Sequence, residues 1–191
     1  MESVRIGFLG FGEAGYAIAS GLHEKEGVNN ILVYDAMQDD LKFSEKLAEK
    51  RASVSAVKMS SEAELAGCAD IIFVAIPSFC AFDCAKRAAE GIRPGVVYVD
   101  VSTATSAEKR AESEMFAAKG ALFVDGAMMG ALPLEKHQVH MMISGNGRGK
   151  NEGTDGLLSH EFGRPRPRAG RGHQHQVCSQ HLHERNHGSD H

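Results

Sequence analysis

Near its start the chain reads VRIGFLGFGEAG over residues 4–15, and this stretch decides the fold. Residues 4–9 form a short apolar run, which predicts a buried β-strand. Three glycines follow in the spacing G-x-G-x-x-G, and residues 15–24 then carry apolar side chains on one helical face. The order of strand, glycine-rich turn and helix predicts the beginning of a β-α-β unit.

The alternation of short apolar runs and amphipathic stretches continues to about Gly145. Further strands are predicted at residues 30–35, 54–59, 70–77, 96–101, 122–124 and 140–144, and further helices at residues 41–51, 82–90 and 107–119, with a short one that begins at Ser61. Residues 71–76 are apolar throughout, which is typical of a central strand covered on both faces. This alternation predicts an α/β fold with a doubly wound parallel sheet and right-handed crossovers.

In this context the glycine spacing predicts a Rossmann domain that binds a dinucleotide, which we place at residues 1–148. Gly10 allows a tight turn, Gly12 lets the backbone approach a pyrophosphate, and Gly15 lets the helix pack closely on the strand. The helix N-terminus offers free N–H groups and a partial positive charge to the phosphates. The predicted phosphate-binding residues are Gly10, Phe11, Gly12, Glu13 and Ala14.

Asp35 ends the second predicted strand, twenty residues after Gly15. A carboxylate at this place accepts hydrogen bonds from the adenosine ribose hydroxyls and repels a 2′-phosphate. No Arg or Lys follows it before Lys42, so nothing obvious would neutralise such a phosphate. NAD is therefore favoured over NADP as the cofactor. The alternative is that Asp35 only serves the turn that ends the strand.

The composition is that of an ordinary globular domain and argues against several classes of function. Of the 191 residues 42% are hydrophobic and 24% are charged, and the net charge of −4 gives no general attraction to nucleic acid or acidic membranes. No apolar run reaches the roughly 18 residues that cross a bilayer, and no signal peptide is recognised. We expect a cytoplasmic protein whose cysteines (Cys68, Cys80, Cys84 and Cys178) are free thiols rather than metal ligands.

Three more motifs make the chain resemble the β-hydroxyacid dehydrogenases, the family of 3-hydroxyisobutyrate and 6-phosphogluconate dehydrogenases. The sequence VAIP at residues 74–77 resembles the family's loop after the fourth strand, and DVST at residues 100–103 resembles its D-x-S-T motif. The sequence DGAMMG at residues 125–130 stands where many members have D-A-P-V-S-G. The resemblance covers residues 4 to about 148, which is most of a cofactor domain.

The resemblance implies hydride transfer between a 3-hydroxy acid and nicotinamide, and it assigns residues to both ligands. The residues beside the nicotinamide half of the cofactor are Ala75, Ile76, Pro77 and Ser102. The residues implied for the substrate are Ser102, Thr103, Met129 and Gly130. Two alternatives stay open: Ser102 and Thr103 could cap the helix predicted at residues 107–119, and Met128 and Met129 could simply pack in the core.

The family's general acid–base is a lysine on the first long helix of a second, all-helical domain. After Lys136 the only lysine is Lys150, and no apolar helical pattern surrounds it. His137 and His140 are weighed as acid–base groups, but the resemblance implies lysine for that work. We therefore assign no catalytic residue, and we expect the all-α domain, which also builds the family's dimer, to be missing.

Residues 149–191 differ in character from the rest of the chain. They contain only five of Leu, Ile, Val, Met and Phe but seven of the ten histidines. Such a segment buries too little apolar surface to offset its conformational entropy, so disorder is expected. Read one nucleotide out of step, residues 168–191 are compatible with an apolar helix containing Ser-Ile-Lys, which resembles the family's catalytic-lysine helix. The hypothesis is a frameshift near Arg148.

Three functional hypotheses follow. The first is an NAD(P)-dependent oxidoreductase of the β-hydroxyacid type, with a nicotinamide dinucleotide and a small hydroxy acid as its ligands. The second is a non-catalytic fragment that binds the dinucleotide without turnover. The third is a metal- or nucleic-acid-binding module built on the histidines and arginines of residues 149–191. The acidic net charge and the absence of aromatic side chains interleaved with the arginines of residues 164–168 disfavour this last interpretation.

Overall fold

The computed structural model describes residues 4–23 and 25–147 and the backbone of residues 176–178. Its strands are β1 (Val4–Leu9), β2 (Val28–Tyr34), β3 (Val57–Lys58), β4 (Ile71–Val74), β5 (Val97–Asp100), β6 (Leu122–Met128), β7 (Met141–Gly145) and β8 (Gln176–Cys178). Its helices are α1 (Glu13–Leu22), α2 (Ser44–Ser53), α3 (Glu62–Cys68), α4 (Ser78–Gly91), α5 (Ser106–Ala118) and the single turn α6 (Leu132–Glu135), which a 3₁₀ turn (Lys136–Gln138) follows.

The described strands form one sheet in the order β3-β2-β1-β4-β5-β6-β7-β8. The six strands from β3 to β6 in that order are parallel, which confirms the predicted Rossmann-type α/β fold. One edge of the sheet departs from the predicted parallel arrangement, because β7 runs antiparallel to β6. Only α6 and the 3₁₀ turn lie between these strands, and a parallel connection usually needs a full crossover helix.

Strand β8 pairs antiparallel with β7, and no sequence pattern predicts it. The other residues of the predicted tail, residues 149–175 and 179–191, lie outside the described part of the chain. The predictions of disorder and of a changed reading frame for them therefore stay predictions.

The core lies on both faces of the sheet. One face packs against α1 and α2 through a cluster that includes Phe8, Ile18, Leu47 and Phe73. The other face packs against α3, α4 and α5 through a cluster that includes Leu65, Ile72, Ala85 and Phe116. Every residue of β4 is buried, as its continuous apolar run predicts.

Side-chain hydrogen bonds to the backbone determine where two of the helices begin. Helix α2 begins at Ser44 rather than residue 41, because Asp35 and Asp40 accept hydrogen bonds from amides two residues on and hold residues 36–43 in turns. Ser61 caps α3 through the amide of Glu64, as predicted.

At the amino ends of the parallel strands, Asp70 joins β1 to the segment before β5. Its carboxylate accepts hydrogen bonds from the backbone N–H of Arg5 at 3.0 Å, from the Arg5 guanidinium at 2.8 Å and from Arg93 at 2.9 Å. Burial opposes ionisation of Asp70, but these bonds outweigh it and lower its pKa to about 2. We call this group the Asp70 staple.

Candidate functional site

The glycine-rich turn connects β1 to α1 at the carboxyl edge of the sheet. Gly10 has a φ of +86°, and a Cβ there would lie 2.6 Å from the carbonyl oxygen of Ala75. A Cβ at Gly15 would overlap the carbonyl oxygen of Gly10. A Cβ at Gly12 would have no heavy atom within 4 Å. The turn is therefore closed by packing at two glycines and faces open space at the middle one.

Helix α1 begins with Gly12 as its N-cap, and no side chain caps its first turn. The first amides of a helix have no partner within it, so they are available to an anion in the open space at Gly12. The ring of Phe11 does not face that space, because it is fully buried and meets the rings of Phe8 and Tyr16 edge-on. Its side chain is therefore not available for the predicted phosphate contact, and its backbone N–H is already donated to Asp35.

Asp35 lies directly after β2, half-buried beside the glycine-rich turn. One carboxylate oxygen accepts the amide of Phe11 at 2.7 Å, and the other accepts the amide of Met37 at 2.9 Å. The alternative role in the turn is therefore real. It does not displace the predicted ribose contact, since a carboxylate has about four lone-pair sites in all.

The loop after β4 lies against the same turn. The amide of Ala75 donates to the carbonyl of Leu9 at 2.9 Å, and the Ile76 side chain packs beside Gly10. Ala75 and Ile76 are half-buried, whereas Pro77 is exposed. The structure thus brings the predicted cofactor residues of β1, β2 and β4 together at one edge of the sheet.

The D-x-S-T motif follows β5 at this edge. The side chain of Asp100 points into the protein and accepts the amide of Ser102 at 2.8 Å, and the Ser102 hydroxyl accepts the amide of Ala104 at 3.3 Å. Ser102 is 8% exposed, while Thr103 is exposed. The alternative that Ser102 and Thr103 cap α5 is wrong, because Thr105 caps it in a capping box with Glu108.

Met128, the last residue of β6, and Met129, which follows it, have different surroundings. Met128 packs partly against the core, as the packing alternative predicts. Met129 is 60% exposed, so the packing alternative is wrong for it. Glu135 folds back over Gly130 and accepts the amide of Ala131 at 3.0 Å, which closes the loop beyond the motif.

His137 lies away from the glycine-rich turn. Its ring packs against Gly21, which is nine residues along α1 from Gly12, or about 13 Å at the usual helical rise. Burial, with Lys25 and Lys136 nearby, lowers its pKa, and neither ring nitrogen has a hydrogen-bond partner among the described residues. We assign His137 a packing role.

Lys109 of α5 is not among the residues that the sequence predicts for the site. Its ammonium pairs with Asp125, donates to the carbonyl of Asp100 at 3.2 Å, and lies 3.3 Å from the Asp100 carboxylate. One signal was available: Lys109, Glu112 and Phe116 share the spacing of one helical face, and Phe116 marks that face as buried.

Three further properties concern the described residues as a set. Cys68, Cys80 and Cys84 are free thiols, as predicted, and burial raises the pKa of Cys84 to about 12. Residues 4–23 and 25–147 contain no cluster of three side chains suited to a metal ion. None of their helices has the length and apolar character to cross a membrane.

Comparison with known proteins gives relatives for most of the described chain. The mitochondrial 3-hydroxyisobutyrate dehydrogenase of Drosophila melanogaster is 27% identical over 143 residues, which cover 73% of this chain and 41% of that enzyme. A conserved hypothetical protein from Sinorhizobium meliloti 1021 is 25% identical with a TM-score of 0.67, covering 75% of this chain and 47% of that one. The 3-hydroxyisobutyrate dehydrogenase of Mycobacterium tuberculosis, solved with L-serine, is 17% identical with a TM-score of 0.66, covering 82% and 51%.

The sheet, the glycine-rich turn and Asp35 together have the features of a Rossmann domain that binds a dinucleotide. Residues 5–104, just over half of the chain, match the family described as NADP oxidoreductase, coenzyme F420-dependent, and the chain belongs to this family. The predicted resemblance to the hydroxyacid dehydrogenases is confirmed, and the matched region is an NAD(P)-binding domain. The chain spans about half the length of the relatives it matches, or less.

Proposed function

We propose that this chain binds a nicotinamide dinucleotide with the pyrophosphate in the open space at Gly12. The observation that carries the proposal is the conjunction of that space with the uncapped first turn of α1. Helix amides and a partial positive charge stabilise an anion there without rearrangement of the turn. Asp35 binds the adenosine ribose, and Ala75, Ile76 and Pro77 border the nicotinamide half.

The proposal favours NAD over NADP, although the family's description names NADP. A 2′-phosphate at Asp35 would meet a carboxylate that is already held in place by the amides of Phe11 and Met37. Lys50 of α2 reaches the start of α1, but it pairs with Glu13 at 3.1 Å. Neutralising a phosphate there would require that pair to break.

On the substrate side we propose that Ser102 holds the carboxylate or hydroxyl of a small 3-hydroxy acid, with Thr103, Met129 and Gly130 around it. When bound, the nicotinamide accepts or returns the hydride of the hydroxyl-bearing carbon. The hydroxyl proton must pass to a base as the hydride leaves, and we assign no described residue to that step.

Free thiols at Cys68 and Cys80 suit a reducing compartment such as the cytoplasm.

The second candidate function is dinucleotide binding without turnover. It is favoured by the sequence of residues 149–191, whose composition differs from a packed helical domain and which carries no lysine in an apolar helical pattern. We propose a frameshift near Arg148 as its origin, with residues 1–148 as the dinucleotide-binding domain. Sequencing the coding DNA decides this point, since one continuous frame incompatible with the shifted helix excludes it.

The test of binding uses NADH and NADPH fluorescence with the wild-type chain and Gly12→Ala. The new methyl group enters the open space, so we expect the NADH affinity to fall about tenfold or more, which is roughly 1.4 kcal/mol. Gly67→Ala in α3 is the matched control, because its Cβ would make only an ordinary contact at 3.5 Å. Equal NADH affinity in wild type and Gly12→Ala contradicts the proposal.

The same preparations separate the two candidate functions. Small 3-hydroxy acids are added with NAD, and the absorbance of NADH is followed. Turnover supports the oxidoreductase, whereas NADH binding without turnover across the series supports the non-catalytic fragment. Tighter binding of NADPH than of NADH contradicts the preference assigned to Asp35.

A further inference from the structure

Helix α5 carries charged side chains on the face that packs against the sheet. Lys109 and Glu112 lie on this face and meet Asp100 at the end of β5, and Lys109 also reaches Asp125 of β6. We call these four residues the α5 charge cluster. Charged residues are rarely fully buried unless paired, so the cluster needs a physical account.

Glu112 is the most unusual member, because it is fully buried and neither carboxyl oxygen has a hydrogen-bond partner among the described residues. The groups that face it are Asp100 and Tyr98 from β5, Cys84 from α4, and Glu108 and Lys109 from its own helix. An ionised carboxylate in such a place is costly, and two adjacent carboxylates repel each other.

A proton on Glu112 resolves both problems. A protonated carboxyl would donate a hydrogen bond to the Asp100 carboxylate, whose Oδ2 has the Lys109 ammonium 3.3 Å away but no hydrogen bond among the described residues. Burial, followed by the charge of Asp100, raises the pKa of Glu112 to about 8, while Lys109 opposes the shift. One cation then faces two carboxylates, Asp100 and Asp125, and one neutral acid.

The cluster connects directly to the substrate side of the cleft. The same Asp100 carboxylate that faces Glu112 and Lys109 accepts the amide of Ser102 through Oδ1. Lys109 also joins the ends of β5 and β6, because it contacts both Asp100 and Asp125. Movement of Lys109 or of Asp100 is therefore transmitted to the loop that carries Ser102 and Thr103.

We propose that Lys109, Asp100 and a protonated Glu112 act as one positioning unit that holds Ser102 in place for the nicotinamide half of the cofactor and the substrate. The proposal rests on the proposed function, and it makes these three residues positioning residues, since all three are buried and act through Ser102. At alkaline pH the unit loses its proton, the two carboxylates repel, and the Ser102 loop loosens.

The first arm of the test measures the loop without any ligand. Amide hydrogen exchange at Ser102 and Ala104 is recorded by NMR from pH 7 to pH 9 and converted to protection factors. We expect wild-type protection to fall about tenfold across this range. Glu112→Gln keeps a donor for Asp100 but cannot ionise, so its protection stays constant. Identical pH profiles in the two proteins overturn the proposal.

The second arm separates positioning from general damage by comparing NADH with ADP-ribose, which lacks nicotinamide. Lys109→Met is expected to weaken NADH about tenfold while ADP-ribose affinity stays within about twofold. Lys86→Met, on the solvent-exposed side of α4, is the matched control and leaves both affinities unchanged. Equal weakening of NADH and ADP-ribose in Lys109→Met overturns the positioning role.

The two arms also distinguish failure of this proposal from failure of the proposed function. If wild type binds neither NADH nor ADP-ribose, the proposed function fails, and the exchange arm alone then decides whether the cluster orders the Ser102 loop. If Lys109→Met does not fold, the pH profiles of wild type and Glu112→Gln carry the decision. Glu112→Gln retains the volume and the hydrogen bond, so it is expected to fold.

Discussion

Gly10, Gly12 and Gly15 belong to one motif but have different surroundings. A side chain at Gly10 or Gly15 would meet backbone atoms, whereas a side chain at Gly12 would meet nothing within 4 Å. Two of the three glycines are thus required by the packing of β1, α1 and the β4 loop. The third is free of such demands, which is the pattern expected where a ligand approaches the backbone.

Gly10→Ala is expected to destabilise the domain by about 2–4 kcal/mol. The substitution imposes a left-handed backbone on a residue with a Cβ and drives that Cβ against the Ala75 carbonyl oxygen. Urea unfolding measures the effect. Gly12→Ala is the control for folding and should change stability by less than about 0.5 kcal/mol. Equal stability of the two variants contradicts this assignment.

Single residues were predictable where their role follows from the backbone and less so where it depends on neighbours distant in the sequence. The motif alone placed Gly10, Gly12, Gly15 and Asp35 around one turn. It did not indicate that the Phe11 ring is buried. Nor did residue type reveal Lys109, because lysine is ordinarily a surface residue and only its partners on β5 and β6 explain its burial.

At the scale of elements, helix α5 shows how a cap decides where a helix begins. Thr105 and Glu108 exchange hydrogen bonds with each other's backbone amides, which satisfies two of the first donors. The pattern Thr-x-x-Glu is visible in the sequence at residues 105–108. The start predicted at residue 107 lies one residue after the observed start at Ser106, whereas Ser102, the alternative cap, is engaged with Ala104 instead.

Thr105→Ala is expected to cost about 1 kcal/mol, because it leaves the Glu108 amide without its side-chain acceptor. The free energy of unfolding in urea is the measurement. Thr103→Ala two residues earlier is the matched control, since Thr103 is exposed and does not cap the helix. A loss of the same size in Thr103→Ala contradicts the capping assignment.

The element order was predictable because each strand and helix has its own hydrophobic period. The direction of β7 was not, since periodicity is the same for parallel and antiparallel strands. What sets the direction is the connection from β6, in which the chain makes only one helical turn and a 3₁₀ turn. Short turns such as α6 leave almost no periodic signal in a sequence.

At the scale of the whole molecule, the two ends of the sheet have different tasks. The carboxyl ends of β1, β4, β5 and β6 surround the candidate site. The amino ends are joined by the Asp70 staple, in which Asp70, directly before β4, forms ion pairs with Arg5 of β1 and with Arg93 before β5. Substitutions at the amino ends of the strands should therefore change stability, and substitutions at the carboxyl ends should change ligand affinity.

Asp70→Asn tests the staple through its dependence on pH. The pKa of Asp70 is lowered from 3.8 to about 2, so its contribution is present above pH 4 and is lost as the pH falls toward 2. At pH 7 we expect a loss of about 1 kcal/mol, discounted because the carboxylate is a third exposed. The difference between wild type and variant should shrink in urea unfolding at pH 3.

The control is Asp83→Asn on α4. Asp83 is exposed, and among the described residues it forms an ion pair only with Lys86, so its replacement should change stability little at either pH. A constant difference between wild type and Asp70→Asn from pH 7 to pH 3 contradicts the assignment. In that case the loss would come from the geometry of the amide and not from the charge.

The hydrogen bond from the Phe11 amide to Asp35 has a consequence for anyone who redesigns the coenzyme preference of this domain. The obvious first step toward accepting a phosphorylated ribose is to exchange Asp35 for a neutral or basic residue. That exchange also removes the hydrogen bond that holds the turn proposed to bind the diphosphate. Coenzyme selectivity and overall affinity therefore depend on the same carboxylate. A successful swap needs a replacement acceptor for that amide, such as a hydroxyl supplied from the neighbouring segment.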